Sequence, residues 1–319
     1  MSLTEQIEAI SSTLFDGKSH QQLLEEWENI EKRTGCHVWN GVTFGFFVPQ
    51  SNLEALKSFE VRDDDVFIFT YPRSGTHWVS EIVHYILNDG KGDFDRSFMA
   101  NVLETTLAED PIRMQSTTPG HMVCAAMKSP RCIISHCMER FRPPQVLTKN
   151  AKVVYVARNP KDVLVSWSKI VSFWRFDNVF WAFCNGRMMF GSWFDHVLGY
   201  WTQRGNKNVL FLKYEDIHKD LRGSICKLAQ FVGKDLSDDV IDGILEHVTF
   251  DGMQTTYRRI EDEYGEEGKR MTRYQGTAYL RKGRVGDWKN YFTVAQNAIF
   301  DEIYAQRMKG TGLEFDFEL

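Results

Sequence analysis

Eight consecutive residues, Tyr71-Pro72-Arg73-Ser74-Gly75-Thr76-His77-Trp78, join a short apolar run to a helical pattern. The N–H groups of a tight turn entering a helix, reinforced by the helix dipole, make an anion site. Gly75 lets the backbone approach closely, Ser74 and Thr76 add hydroxyl donors, and Arg73 adds a permanent positive charge. The triphosphate pattern G-x-x-x-x-G-K-[ST] occurs nowhere in the chain. The loop is thus P-loop-like without being a standard triphosphate loop. The plain alternative is a strand–turn–helix with a capped helix.

Two further basic elements stand apart from it. In "VVYVARNPKDVLVSW", Arg158 leaves an apolar run and Ser166 follows on the next helical stretch. Arginine suits bidentate phosphate contact and a nearby hydroxyl adds a donor; Asp162 is an equally good local partner for Arg158. In "YLRKGRVGDW", Arg281, Lys282, Gly283 and Arg284 form a basic cluster within a chain of formal net charge -5. Alone, such a cluster is a solvated turn. Three separated basic or anion-holding elements together fit a ligand with anionic groups at both ends, such as a nucleotide phosphorylated twice.

The elements that position them read as α/β. Strands are predicted over 66–71, 152–157 and 208–214, each nearly continuous in its hydrophobicity, as parallel strands covered on both faces are. Helices are predicted over 76–88, 161–168, 221–232 and 238–247. This alternation predicts a central parallel sheet flanked by helices, with ligands gathering at the carboxyl ends of the strands. No linker or repeat divides the 319 residues, so one domain is expected. The stretch 258–288 is dense in charge and glycine without a clear period; it reads either as a solvated loop or as a lid over a ligand.

Bulk composition narrows the partners. The net charge of -5 excludes a general nucleic-acid or anionic-membrane binder. No apolar run approaches the roughly 18 residues of a membrane span, and the N-terminal stretch lacks the apolar core of a signal peptide. The six cysteines have no metal-type or paired short spacing, so reduced thiols in the cytoplasm are expected, with no metal.

The set "TYPRSGTHW", "VVYVARNPKDVLVSW", "FLKYEDI" and "YLRKGRVGDWKNYFTVAQN" resembles the cytosolic sulfotransferase family in order and spacing, over nearly the whole chain. The resemblance implies a single α/β domain that moves a sulfuryl group from 3′-phosphoadenosine 5′-phosphosulfate (PAPS) to a hydroxyl or amine of a small molecule. It implies that Arg73, Ser74, Gly75, Thr76 and His77 hold the 5′-phosphosulfate and that Trp78 stacks on adenine. Arg158 and Ser166 would bind the 3′-phosphate with Arg281, Lys282 and Gly283. Tyr214 would reach the adenine edge, and Phe250 would cover its other face beside Thr249. The 258–288 stretch becomes a lid over cofactor and substrate.

Transfer to a hydroxyl calls for a general base, and histidine suits neutral pH. By resemblance that base is His136, which takes the acceptor's proton in an in-line displacement, while Arg73 neutralises the departing oxygen and Ser166 touches Arg73. This chain departs from the family pattern in several places. Arg73 and Ile134 replace lysines, Cys137-Met138 replaces Leu-Pro, and Ala298 replaces the glutamate that ends the dimer motif of Lys289, Thr293 and Val294. A homodimer through that motif is the expected assembly. Phe47, Phe98, Trp167 and Phe173 are candidate walls for an acceptor (phenol, alcohol, sterol, alkaloid or amine), with core packing as the alternative for each. Phe44 and Phe46 belong to the same aromatic group. Two other readings remain: a catalytically silent PAPS- or nucleotide-binding protein, and a P-loop-like small-molecule kinase. Transfer assays and competition between the bisphosphate product and ATP separate them.

Overall fold

Runs of β-branched and aromatic residues pair side by side to build the protein's centre. The computed structural model describes residues 15, 17–92, 102–106, 118–171, 174–271, 280 and 282–319. A short antiparallel hairpin, β1 (His37–Trp39) and β2 (Val42–Phe44), precedes the main sheet. That sheet has four strands: β3 (Val66–Thr70), β4 (Cys132–Ser135), β5 (Lys152–Ala157) and β6 (Val209–Lys213). All pair in parallel, in the order β4-β3-β5-β6.

Strand periodicity splits the side chains between two layers. Phe67, Phe69, Ile133, Val153 and Tyr155 enter one core, whereas Val66, Ile68, Ile134, Val154 and Val156 enter the other. Both faces must be covered, which is why the strands are apolar throughout and not alternating. The helices that frame the site are α1 (Thr76–Leu87), α2 (Pro160–Ile170), α3 (Trp193–Trp201), α4 (Leu221–Phe231), α5 (Asp238–Val248), α6 (Phe250–Met271) and α7 (Val294–Met308). Helices α1, α4 and α5 cover the second face through Val79, Ile82, Ile225, Leu228, Ile241 and Ile244. Residues Val163, Leu164, Phe194, Val197 and Tyr200 of α2 and α3 belong to the first core.

At the amino end of the sheet, Arg131 donates to both carboxylate oxygens of Asp65, at 2.7 and 2.5 Å, and both side chains are buried. The pair ties the start of β3 to the start of β4, leaving the opposite end for chemistry. Because β4 and β5 lie on opposite sides of β3, the chain reverses its direction across the sheet beside β3. A crevice outside the carboxyl end of β3 is the expected ligand position in such a sheet.

Three differences from the sequence reading have physical causes. Strand β4 was not expected: its four residues, Cys-Ile-Ile-Ser, are too short to stand out from a buried helix segment. Residues 258–271, expected as irregular, continue α6, which is interrupted only at Gly265 (φ 55°, ψ -126°). The exposed charged residues Arg258, Arg259, Asp262 and Glu263 carry no apolar period, so composition disguised the helix. Ile134 is fully buried in the second core. The position that departs from a family lysine is filled here as a core position.

Candidate active site

Three loops and a cluster around Trp78 meet at the carboxyl end of the sheet. The first leaves β3 through Tyr71 and Pro72 and enters α1 at Thr76. Two of its residues occupy left-handed backbone, Arg73 at φ 75° and Gly75 at φ 101°. Gly75 is required twice over. A side chain there would be strained at that φ, and its Cβ would meet the Tyr214 ring at 2.6 Å. For Arg73, which has no glycine freedom, the same region of φ stores backbone strain, a feature that clusters at functional sites. Its guanidinium is anchored, with Nε donating to Ser166 Oγ on α2 at 3.0 Å. Ser74 is fully buried, and its Oγ has no hydrogen-bond partner among the described residues.

The second loop follows β4 and carries His136. Its Nδ1 lies 2.9 Å from the Thr70 carbonyl oxygen and 3.1 Å from Thr70 Oγ1. A carbonyl only accepts, so Nδ1 bears the proton and Nε2 keeps the lone pair. Thr70 Oγ1 in turn shares a 2.7 Å hydrogen bond with Thr76 Oγ1 at the start of α1. Burial pushes the His136 imidazole down to about 4, the Thr70 carbonyl opposing and Arg73 adding to the effect. His77, one residue into α1, is held well below the usual range by burial, with Arg73 and His136 contributing. At neutral pH both rings are uncharged beside a permanent cation.

The third loop follows β5. Arg158 is buried, its guanidinium 4.3 Å over the Tyr214 ring. It donates to the Arg284 carbonyl at 3.0 Å and the Arg73 carbonyl at 3.4 Å, and its Nη2 lies 3.5 Å from Asp162 Oδ2. Arg158 therefore bridges the anion loop and the 282–288 segment. Its Nε is buried without a partner among the described residues. Asp162 pins the same segment, accepting from the N–H of Gly286 at 2.9 Å and of Trp288 at 3.0 Å.

The fourth group surrounds Trp78. Its indole N–H donates to the Val248 carbonyl at 2.7 Å, and Tyr214 packs edge-on at 5.3 Å. Met253, Tyr257 and Ile260 of α6 form a small core against it, joined by Leu280. Phe250 approaches the 282–288 segment so closely that a Cβ on Gly283 (φ 59°) would meet its ring at 2.6 Å. The arrangement sets two arginines, Arg73 and Arg158, beside the loop after β3, with Tyr214 under Arg158 and Trp78 edge-on to Tyr214.

A family model described as "Sulfotransferase domain" matches residues 63–312. Human Sulfotransferase 1C2 is 37% identical over 278 residues, covering 84% of this chain and 91% of the relative. The chain belongs to the sulfotransferase family. The rabbit amine sulfotransferase is 36% identical over 85% of this chain and 90% of its own length. Two solved structures are also similar. Mouse sulfotransferase SULT7A1 complexed with PAP shares 29% identity, with a TM-score of 0.70, over 86% of this chain and 94% of that one. Retinol dehydratase in complex with androsterone and inactive cofactor PAP shares 25% identity, with a TM-score of 0.77, over 91% and 96%. The sulfotransferase fold accounts for the four-stranded parallel sheet and for the position of the loops, and the chemistry that goes with the family is sulfuryl transfer.

Not every candidate residue of this sulfotransferase converges on the site. Phe98, Phe173 and Arg281 lie outside the described residues. Lys282 turns to Asp287, with Nζ 2.7 Å from Oδ1. Thr249 is exposed and caps α6, donating to Glu246 and accepting from the Gly252 N–H, each at 3.0 Å. Trp167 is buried in the first core, as is Phe44, while Phe46 is exposed. Phe47 packs 6.5 Å from Phe190, whose ring lies edge-on to His136 at 5.5 Å. Phe190 was not anticipated: it stands at φ 69°, and no motif announces a phenylalanine in left-handed backbone. Glu104 was also missed. It is fully buried, takes the His136 backbone N–H on Oε1 at 2.8 Å, and burial raises its carboxyl to about 7.

Proposed function

We propose that this sulfotransferase moves a sulfuryl group from PAPS to a hydroxyl or amine of a small, largely apolar acceptor, with His136 as the general base. The observation that carries the assignment is the fixed tautomer of His136, whose Nδ1–H is committed to the Thr70 carbonyl. The basic nitrogen, Nε2, is thereby left to receive a proton. The residues fit the donor nucleotide. Ser74 Oγ and Arg158 Nε are buried polar atoms with no protein partner among the described residues, and Gly75 lets the loop backbone pack directly against the Tyr214 ring. An unpartnered buried donor carries a cost of about 1–3 kcal/mol, which a bound anion relieves.

PAPS, when bound, supplies an activated sulfuryl group and a bisphosphate leaving group. The 5′ end falls to Arg73, Ser74, Gly75, Thr76 and His77. The 3′-phosphate would fall to Arg158 and Ser166, with Arg281 and Gly283 as further candidates, the Lys282 ammonium being taken by Asp287. Trp78, Tyr214 and Phe250 would hold the adenine, Thr249 being given to the cap of α6. Arg73 brings permanent positive charge to the leaving oxygen, Ser166 orients Arg73, and His136 Nε2 takes the acceptor's proton. Positioning and electrostatics of this kind supply most of the rate in transfers of charged groups.

Phe47 and Phe190 supply an apolar wall beside His136, supporting an apolar acceptor. We further read the chain as one domain, with 258–288 as a lid closing over cofactor and substrate, at work in the cytoplasm. None of the six cysteines forms a disulfide. Among the described residues no helix is long and apolar enough to cross a membrane.

The test is transfer of radiolabelled sulfuryl from PAPS to a mixed panel of phenols, sterols, alcohols and amines. A panel member should become labelled by the wild type, while His136→Ala transfers at least about a hundredfold more slowly with unchanged affinity for 3′-phosphoadenosine 5′-phosphate (PAP). Tight PAPS binding with no transfer to any acceptor would instead support a silent binding protein. Preference for ATP over PAP would support a kinase.

A further inference from the structure

His136 is held by its backbone as well as by its ring. His196, on α3, places Nε2 3.0 Å from the His136 carbonyl oxygen, while its Nδ1 lies 2.8 Å from Tyr155 Oη on β5. Tyr71, the first residue of the anion loop, lies against the same imidazole. These contacts have one consistent proton arrangement. The carbonyl cannot donate, so His196 carries its proton on Nε2 and must accept at Nδ1. Tyr155 supplies the proton to Nδ1. His196 and Tyr155 are fully buried, and burial lowers His196 to about 3, so the neutral tautomer persists at working pH.

The surrounding contacts reinforce the same geometry. The Tyr71 ring stands edge-on to His196 at 5.4 Å, and its hydroxyl donates to the Gly191 carbonyl at 3.1 Å, beside Phe190. Tyr200 stacks on Tyr155 at 4.3 Å and donates to the Cys137 carbonyl at 3.0 Å. With Glu104 on the His136 N–H, the peptide carrying the base is gripped on both sides by buried side chains from separate elements. Such contacts do not touch donor or acceptor.

We propose that His196, oriented by Tyr155, is a positioning residue for His136, holding the base segment through the chain Tyr155 hydroxyl, His196 imidazole and His136 carbonyl, with the Tyr71 ring of the anion loop packed against the same imidazole. The inference rests on His136 being the base. Its signature is a loss in kcat with donor affinity preserved, because the links act on the placement of a catalytic ring and not on phosphate contacts. A displacement of about 1 Å at a catalytic group costs on the order of a hundredfold.

The experiment uses full-length protein with PAPS and whichever acceptor the panel identifies. His196→Phe keeps an aromatic ring but removes both nitrogens, His196→Gln keeps an N–H donor at the Nε2 end, and Tyr155→Phe removes only the hydroxyl. His196→Phe is expected to lower kcat by about 10- to 100-fold, with the PAP dissociation constant unchanged. Tyr155→Phe should lower it less, and His196→Gln should recover most of the loss. Combined with His136→Ala, His196→Phe should cause no further loss, since residues acting as one unit are non-additive. Full kcat in folded His196→Phe, or a further equal loss in the double variant, would overturn the proposal. Normal turnover in His136→Ala would overturn the base assignment itself, which keeps the two failures apart. If His196→Phe does not fold, Tyr155→Phe decides alone: unchanged kcat refutes the chain.

Discussion

Arg73, on the loop after β3, donates from Nε to Oγ of Ser166 on α2 at 3.0 Å. The contact ties the loop after β3 to helix α2, so it restrains the cation proposed to lie nearest the bond to be broken. Hydrogen bonds to a charged group contribute about 1.5–3 kcal/mol. Ser166→Ala frees Arg73 from this restraint before an acceptor arrives. We expect release of inorganic sulfate from PAPS without acceptor to rise by about tenfold, one such bond's worth. Labelled sulfate release measures it, and a rate equal to wild type would leave Ser166 with only its proposed phosphate contact.

Gly75 tests the anion loop independently. At its φ of 101° a side chain is strained, and a Cβ there would stand 2.6 Å from the Tyr214 ring, so Gly75→Ala both strains the turn and displaces a ring. Tyr214 also lies beneath Arg158, so the disturbance reaches the proposed second phosphate site. The backbone cost alone is about 1–3 kcal/mol. Calorimetry should show PAP affinity weakened by at least about tenfold, with a lowered melting temperature. Unchanged affinity in the folded variant would move the nucleotide away from this loop.

Much of this architecture was legible in the sequence, for identifiable reasons. Continuous apolar runs announce β3, β5 and β6 because both faces of the sheet are covered. Arg73, Gly75 and Arg158 were legible because loops after such strands have few physical reasons to combine glycine, hydroxyls and arginine. Glu104, Phe190 and His196 were not. Their significance depends on contacts across distant segments, such as His196 with the carbonyl of His136, and no local spacing encodes such a meeting. Lys282 shows the converse: a basic residue in a suggestive cluster whose ammonium is taken by Asp287, five positions along.

The dimer motif makes a separate prediction. Val294 is 90% exposed at the start of α7, next to Thr293, which caps that helix through Gln296. Lys289 is paired within the chain, Nζ lying 2.5 Å from Glu318, and Ala298 is exposed where a carboxylate ends the family motif. An apolar side chain this exposed suits a contact with a second copy, without the ion pair the missing carboxylate would provide. Val294→Glu should convert a dimer to monomer in light scattering while the melting temperature stays within a few degrees. A wild type monomeric at micromolar concentration would refute the assembly.

Buried histidines also give stability a defined pH dependence. His196 is lowered to about 3 in the fold, against about 6.5 in an unfolded chain. The unfolded state therefore binds a proton below pH 6.5 that the folded state refuses, and stability falls as pH drops through this range. Between pH 7 and pH 5 this one group costs wild type about 2 kcal/mol. Of the groups facing it, His136 titrates at about 4, and Tyr71, Tyr155 and Tyr200 are raised by burial. None changes charge in the folded state across that window. Glu104 and Glu215, each raised to about 7, act in the opposite direction, but they are common to wild type and variant and cancel in the difference. His196→Phe should be less stable than wild type at pH 7, with the gap narrowing by about 2 kcal/mol at pH 5. Urea unfolding of both proteins at the two pH values measures it. A gap independent of pH would mean that His196 accepts its proton in the folded state, and its fixed neutral tautomer would have to be abandoned.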